Sequence, residues 1–442
     1  MRLKIYNSLS NKIEEFKTNN PKVVNMYVCG PTVYGYIHIG NARPVIFFDM
    51  LKNYLTYLGY KVNYASNITD VDDKIINKAI EQGKTEKEIA GFYEDAYFKN
   101  VDELNSKRPD FVPHATDYIP QMQNLIENLV DTGYAYEKDG DVFFRVSKVS
   151  DYGRLSNQQM DELESGVRIS VDDKKESPLD FALWKNTDKG IKWQFKYGNG
   201  RPGWHTECVC MINKIFDNQE IDIHGGGADL KFPHHENEVA QSMAFNHHHL
   251  AKYWMHVGRL NMGKEKMSKS LGNVIYVKDM APEMLPAFRL LICATPYRNN
   301  IEYSQELLDQ YKKEYDKYLR AYKQASLMLD LASIESNETS KEDLAKFEEA
   351  MDQDLNTANV LTVLADIVKR LNIAIRAKDM DSVVRLNNTL KLIMDIFGVK
   401  LEYTKLTEEN KDLYNKWNEL KASKNFEEAD KIRAILSERG VI

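Results

Sequence analysis

Four cysteines in 442 residues are too few and too scattered to staple a chain of this size. Cys29, Cys208, Cys210 and Cys293 therefore read as free thiols or metal ligands in a reducing compartment, not as a disulfide framework. Also missing is any run near the ~18 to 20 uninterrupted apolar residues of a membrane helix. The opening Met1-Arg2-Leu3-Lys4-Ile5-Tyr6 carries charges but no apolar h-region or cleavage site. A cytoplasmic chain without membrane attachment is expected. There is no basic surplus: formal net charge is -7 and the pI about 5.9, so any RNA contact has to come from local patches. Beyond residue 304 glycine and proline almost vanish, which excludes a turn-rich β architecture there.

Hydrophobic residues at 43% and charged residues at 28% are enough for ordinary soluble cores, and the length implies two to four units. In the first half, strand-like runs alternate with helical ones: a strand over 23–29, an amphipathic helix over 43–58, a strand over 61–66, and further strands over 181–185 and 221–224. That alternation predicts βαβ units and a parallel sheet. The irregular stretch between, with a strand over 141–146, reads as an insertion between two halves of one sheet. After residue 304, apolar residues recur at three- and four-residue spacing, as in an antiparallel helix bundle, with a polar loop over 335–341. The expected fold is α/β: a Rossmann-type parallel-sheet catalytic domain with an insertion, followed by an all-α bundle. The expected divisions are 1–114 and 199–250 for the two halves of the sheet domain, 115–198 for the insertion, 251–303 for a linking domain, 304–400 for the bundle and 401–442 for a short C-terminal helical domain.

Two segments carry chemistry. Cys29-Gly30-Pro31-Thr32-Val33-Tyr34-Gly35-Tyr36-Ile37-His38-Ile39-Gly40-Asn41 follows a strand and precedes a helix, at the carboxyl edge where open α/β sheets bind ligands. Its small residues admit a nucleotide to the backbone, and the next helix points its N-terminus at phosphate. Lys264-Glu265-Lys266-Met267-Ser268-Lys269-Ser270-Leu271-Gly272-Asn273 places lysines three apart among serines, suited to gripping a polyphosphate, although such a charge run is more often a solvated loop.

Together these segments resemble the paired signatures of class I aminoacyl-tRNA synthetases. Asn67-Ile68-Thr69-Asp70, Gly203-Trp204-His205-Thr206-Glu207-Cys208, Phe232-Pro233-His234-His235-Glu236-Asn237-Glu238 and Asn425-Phe426-Glu427-Glu428-Ala429-Asp430 narrow the resemblance to the cysteinyl-tRNA synthetases, over nearly the whole chain. One place departs: the class signature ends in histidine, where this chain has Asn41. An amide still donates hydrogen bonds to phosphate or ribose but is never cationic.

The resemblance implies ATP-dependent activation of L-cysteine and its transfer to the 3' end of tRNA(Cys), with magnesium accompanying ATP. It implies that His38, Asn41, Lys266 and Lys269 are catalytic. ATP is expected to meet these residues with Gly40, Gly227 and Asp229, and the amino acid to meet Cys29, Gly30, Thr69, Trp204 and His205. A metal site is also suggested by the residues themselves. Pro233 suits a helix start, and His234 and Glu238 then lie one turn apart on one face. With two thiolates they make a tetrahedral zinc shell. Cys208 and Cys210, two apart in a helix, point in different directions and should not both ligate. Two core cysteines beside a solvated His-Glu face are the plainer alternative; the resemblance selects Cys29, Cys208, His234 and Glu238 for one zinc ion. His247-His248-His249 would fan out around a helix and reads as surface.

Zinc answers a selection problem. Cysteine and serine are near-isosteres that an apolar or hydrogen-bonding pocket separates poorly, whereas zinc favours a soft thiolate. The insertion is too short for a separate editing domain. Competing readings are a ligase joining cysteine to a small amine by the same adenylate chemistry, and a silent relative that only binds RNA or zinc. The helix bundle argues against the first and the intact lysine signature against the second. A monomer is expected. Members of the resembled family commonly continue into a short tail with a Gly-Thr pair and a Trp; here the sequence ends at Gly440-Val441-Ile442, so weaker base-specific reading of the anticodon is expected.

Overall fold

The computed structural model describes residues 3–158, 174–262, the backbone of 265–266, 274–439 and 441. A hairpin of β1 (Lys4–Asn7) and β2 (Lys12–Glu15) leads into β3 (Val23–Val28), α1 (Ile39–Tyr57) and β4 (Lys61–Ser66). After α2 (Asp73–Gln82) and α3 (Glu86–Glu103), the insertion holds α4 (Ile119–Asp131), β5 (Ala135–Lys138), β6 (Asp141–Phe144), β7 (Phe181–Asn186) and β8 (Gly200–Pro202). Then come α5 (Trp204–Ile215), β9 (Ile221–Gly227), α6 (Glu236–Phe245) and β10 (Ala251–Val257).

The central sheet has the order β10-β9-β3-β4, and every pairing in it is parallel. Its strands come from both sides of the insertion, whose own sheet, β5-β6-β7-β8, is antiparallel. The α/β expectation holds, with differences in extent, among them β8 joining the insertion's sheet past the expected 198/199 division. β9 continues through Gly225-Gly226-Gly227 instead of ending at His224. A Cβ on Gly225 would fall 2.1 Å from the Phe48 ring, so glycine there lets α1 lie flat on the sheet. Ala251–Val257 is the edge strand of this sheet and lies beyond the 250/251 division expected from the sequence.

Past β10, the short strands β11 (Leu260–Met262), β12 (Glu265–Lys266) and β13 (Ile301–Tyr303) form a second small sheet, with α7 (Leu285–Ala294) between β12 and β13 in the chain. The chain then becomes helical: α8 (Gln305–Leu331), α9 (Lys341–Met351), α10 (Thr357–Ala377), α11 (Met380–Ile396), α12 (Glu408–Ala422) and α13 (Phe426–Glu438). Side-chain caps at Ser304, Ser340, Asn356, Asp379 and Thr407 start five of these helices. Among the described residues no helix is long and apolar enough to cross a membrane.

α1 begins four residues before the expected Arg43 and is buried almost all round, not along one stripe. It lies between the sheet and the helical region, so even its polar residues have protein partners. Asp49 pairs with Arg289 of α7, which also donates to the carbonyls of Phe397 (2.6 Å) and Leu104 (2.9 Å). Asn53 donates to Ile396 O (3.3 Å), Tyr54 to Asp352 (2.9 Å) and Tyr57 to Glu348 (2.6 Å). Removing one partner of a buried ion pair strands the other charge. Asp49→Ala is therefore expected to cost about 3 kcal/mol or more in urea denaturation, whereas Asp395→Ala, which breaks the exposed Lys391 pair on α11, should cost about 0.5 kcal/mol or less. Equal losses would contradict the reading of Asp49–Arg289 as a buried, stability-determining ion pair.

Candidate active site

β3 ends at Val28, so Cys29 is the first residue past the carboxyl edge of the sheet, pinned by its N–H to Gly225 O (3.1 Å). Cys208 comes from the second turn of α5, and His234 and Glu238 from the entry to α6. The Cys29 sulfur lies 3.6 Å from Cys208 Sγ, 3.6 Å from His234 Nε2 and 3.7 Å from Glu238 Oε1; Cys208 Sγ to His234 Nε2 is 3.8 Å. Zinc bonds of about 2.3 Å to sulfur and 2.0–2.1 Å to nitrogen or oxygen give tetrahedral edges of about 3.3–3.8 Å, which these separations match. The shorter His234–Glu238 distance, 2.9 Å, is a direct charged hydrogen bond. All four ligand atoms lie within 4.8 Å of one another, and only Cys29 is more than marginally exposed.

The protonation of the cluster follows from its internal pairings. Hydrogen bonding from Cys29, aided by His234, holds the Cys208 thiol at about 7 against burial. Burial and then Cys208 push the Cys29 thiol well up. Burial opposes charge on His234, but the Glu238 carboxylate and Cys208 outweigh it and raise the imidazole to about 10. Burial also opposes the Glu238 carboxylate, yet His234 and His224 hold it well below the usual range. Cys210 is buried facing away in the apolar core, and burial raises its thiol. Cys293, in α7, is raised to about 12 by burial and stands apart from this cluster.

Four further histidines surround the cluster, of which only His205 is expected there from the sequence. His224, on β9, donates its Nε2–H to Glu238 Oε2 at 2.7 Å and stacks on Trp254. His235 Nε2 lies 3.3 Å from Cys29 Sγ; its Nδ1 meets His256 Nε2 (2.9 Å), and His256 Nδ1 meets Ser8 Oγ (2.8 Å). His205 Nδ1 is 3.0 Å from His234 Nδ1. Burial holds His205 and His256 neutral, each lowered to about 3. Cys29, His224, His235 and Glu238 thus form a second group of metal-ligating type that shares two members with the first. The signal that could have found them is a pair of histidines near the carboxyl ends of adjacent parallel strands, His224 and His256.

Beside the cluster opens a cavity of about 450 Å³. It is lined by Cys29, Gly30, His38, Gly40, Asn41 and Trp204, and also by Gly227 and Asp229. Trp204, 40% exposed, stacks on His234 with ring centroids 4.2 Å apart, so it is a wall and not a core residue. Asn41 N–H donates to His38 Nδ1 (3.2 Å) and His38 N–H to Asn41 Oδ1 (3.3 Å), a reciprocal cap on α1. Because Oδ1 is the acceptor, the Nδ2 donors of Asn41 are not spent in that cap. Pro44 has no N–H to offer the Gly40 carbonyl, which is left without its helical partner at the cavity both residues line.

Thr69 sits differently from the expectation that it surrounds the amino acid. It is 1% exposed and absent from the cavity lining; its hydroxyl donates to Glu207 (2.8 Å) and accepts from Asn67 (3.1 Å). Burial raises the Glu207 carboxyl well above the ordinary range. The backbone of Lys266 pairs with Asn261 across β11 and β12, while Lys269 lies outside the described residues. The stretch after the lysine segment returns to the His38 signature: Ile39 N–H donates to Ile275 O (3.0 Å) and Val277 N–H to Ile37 O (3.2 Å). His247–His249 follow the end of α6 instead of lying on a helix; Asn246 closes it, and His247 has a φ of 61°.

A sequence model described as tRNA synthetases class I (C) catalytic domain matches residues 15–313, and one described as a DALR domain matches 346–402. The chain is similar to a cysteine–tRNA ligase of Acholeplasma laidlawii (strain PG-8A), 49% identical over 441 residues with 100% of both chains covered. It is 42% identical over 461 residues to one of Brevibacillus brevis (strain 47 / JCM 6285 / NBRC 100599), covering 100% of this chain and 97% of that one. Its fold is similar to methionyl-tRNA synthetase of Mycobacterium tuberculosis in complex with methionyl-adenylate, with a TM-score of 0.61, 15% identity, and 85% and 89% of the two chains covered. With a catalytic-domain match over most of its length and full-length relatives of one activity, the chain belongs to the cysteine–tRNA ligase family of class I aminoacyl-tRNA synthetases.

Proposed function

We propose that this enzyme activates L-cysteine at a zinc ion held by Cys29, Cys208, His234 and Glu238, and passes it to tRNA(Cys) as a cytoplasmic monomer. The observation that carries the reading is a buried two-thiol, imidazole and carboxylate cluster opening directly onto the cavity lined by His38 and Asn41. Of the two overlapping groups, the one with both sulfurs fits zinc better, since His224 is already engaged as the outer partner of Glu238. Zinc bound there supplies a soft Lewis acid that prefers the substrate thiolate to a serine hydroxyl.

The chain's own residues do the rest. Trp204 walls the amino acid, His205 sits behind it against His234, and Thr69 braces Glu207 and Asn67, Asn67 accepting from Gly30 N–H (2.9 Å). The cysteine carboxylate is a nucleophile at neutral pH, so its attack on the α-phosphorus of ATP needs no general base. Negative charge then grows on the departing pyrophosphate. His38, Asn41 and the N-terminus of α1 offer donors to the phosphates, Gly227 and Asp229 meet the ribose, and Lys266 and Lys269 neutralise the leaving group; magnesium bound with ATP would add positive charge there. The adenylate next yields its cysteinyl group to the terminal ribose hydroxyl of tRNA.

Elemental analysis of chelator-washed protein should find one zinc per chain. Cys208→Ala should lose it, and Cys210→Ala and Cys293→Ala should keep it. Metal-free protein that retains full cysteine-dependent ATP–pyrophosphate exchange would defeat the site. Lys269→Ala should slow adenylate formation in single-turnover measurements by roughly 10²- to 10³-fold, with cysteine affinity little changed; an unaffected rate would remove the phosphate-clamp role. Asn41→His tests the departure from the class signature. If the amide already serves, activation should change less than about tenfold, or about 1.4 kcal/mol. A much larger gain would mark the natural site as impaired.

A further inference from the structure

Arg43, four residues into α1 from Ile39, is 1% exposed. Among the described residues its guanidinium meets no carboxylate. Nη1 donates to the carbonyls of Gly258 (2.7 Å) and Arg259 (2.8 Å); Nη2 donates to those of Asn299 (2.6 Å), Tyr297 (3.3 Å) and, at the limit, Pro296 (3.5 Å). A buried cation costs several kcal/mol of desolvation, here offset only by backbone acceptors. Gathering so many carbonyls at once suits the planar five-donor fork of arginine and not the point charge of lysine.

The two stretches gathered by the fork are informative. Gly258-Arg259 leads from β10 into β11, and 296–299 leads from α7 into β13. They run in backbone contact: a Cβ on Gly258 would fall 2.3 Å from Asn299 O. Beyond them β11 pairs with β13 in parallel and with β12 in antiparallel, setting Asn261 opposite Lys266. Gly258, Arg259, Leu260 and Asn261 line the same cavity as His38 and Asn41.

We propose that Arg43 is a positioning residue for cysteine activation, its fork fixing the Gly258–Asn261 wall of the nucleotide cavity against the first turns of α1. It thereby sets the spacing between the His38–Asn41 signature and the hairpin that bears Lys266. This rests on the reading of that cavity as the ATP site.

The test is ATP–pyrophosphate exchange by zinc-loaded Arg43→Lys, normalised to active sites by burst titration. KM for ATP should rise about fivefold or more, the worth of a weakened charged hydrogen bond, while KM for cysteine stays within about twofold. A purely structural role would lower the active fraction and leave KM for ATP in the surviving enzyme unchanged. Asn300→Ala is a second variant that spares the core: the exposed Asn300 Oδ1 accepts the Arg259 N–H at 2.9 Å. It should raise KM for ATP about two- to threefold, and it decides alone if Arg43→Lys does not fold. Unchanged KM for ATP, or a parallel rise for cysteine, overturns the inference. Wild-type enzyme without cysteine-dependent exchange would instead defeat the functional reading beneath it.

Discussion

The site depends on Glu238, a carboxylate with no solvent exposure whose two oxygens are claimed by different imidazoles, His234 at 2.9 Å and His224 at 2.7 Å. A charge buried this deeply is tolerable only with partners on both oxygens and a cation within reach. That requirement fixes the entry angle of α6, brings His234 against the two sulfurs, and ties the α6 turn to β9 through His224. Glu236 on the same helix accepts from the backbone N–H groups of Gly153 (2.9 Å) and Ser156 (2.6 Å), so the turn that shapes the cluster also anchors the insertion. The cluster and the packing of the insertion thus share one short segment.

A second constraint runs along α1. Its first turn, capped by the reciprocal His38–Asn41 bonds, lines the cavity beside the cluster. Its middle buries Arg43 and Asp49, and its last turns reach Asp352 and Glu348 through Tyr54 and Tyr57. These polar residues are matched to different neighbouring elements, so a single rigid rod of 19 residues registers the sheet, the small β11–β13 sheet and the helical region against one another. Position 41 illustrates the economy. The asparagine that replaces the usual histidine is also the residue that closes the helix cap.

Much of this was legible in the sequence, because the information lay in contiguous motifs. The strand before Cys29, the turn from Pro233 to Glu238 and the reading of Cys210 as a bystander all follow from spacing on a strand or helix. What was not legible required knowing which strands are neighbours. His224 and His256 look like ordinary polar residues until β9 and β10 are paired in parallel, which aligns Trp254 with His224 and His256 with Gly226. Likewise the burial of α1 on nearly every side depends on the helical region folding back over it, which no local periodicity reports. The resemblance put Thr69 beside the amino acid, whereas its partners Glu207 and Asn67, which hold it away from the cavity, come from tertiary packing. The divisions drawn from composition missed that Ala251–Val257 returns to the central sheet, since an apolar run reads alike in a core strand and in a linking segment.

The central claim, that a two-sulfur zinc site selects the substrate thiol, has a direct spectroscopic test. X-ray absorption at the zinc edge of the purified enzyme should report two sulfur scatterers at about 2.3 Å and two nitrogen or oxygen scatterers at about 2.0–2.1 Å. Saturating cysteine should raise the sulfur count to three, and serine should leave it at two. A first shell of nitrogen and oxygen alone, or a sulfur count that cysteine does not change, would contradict the account.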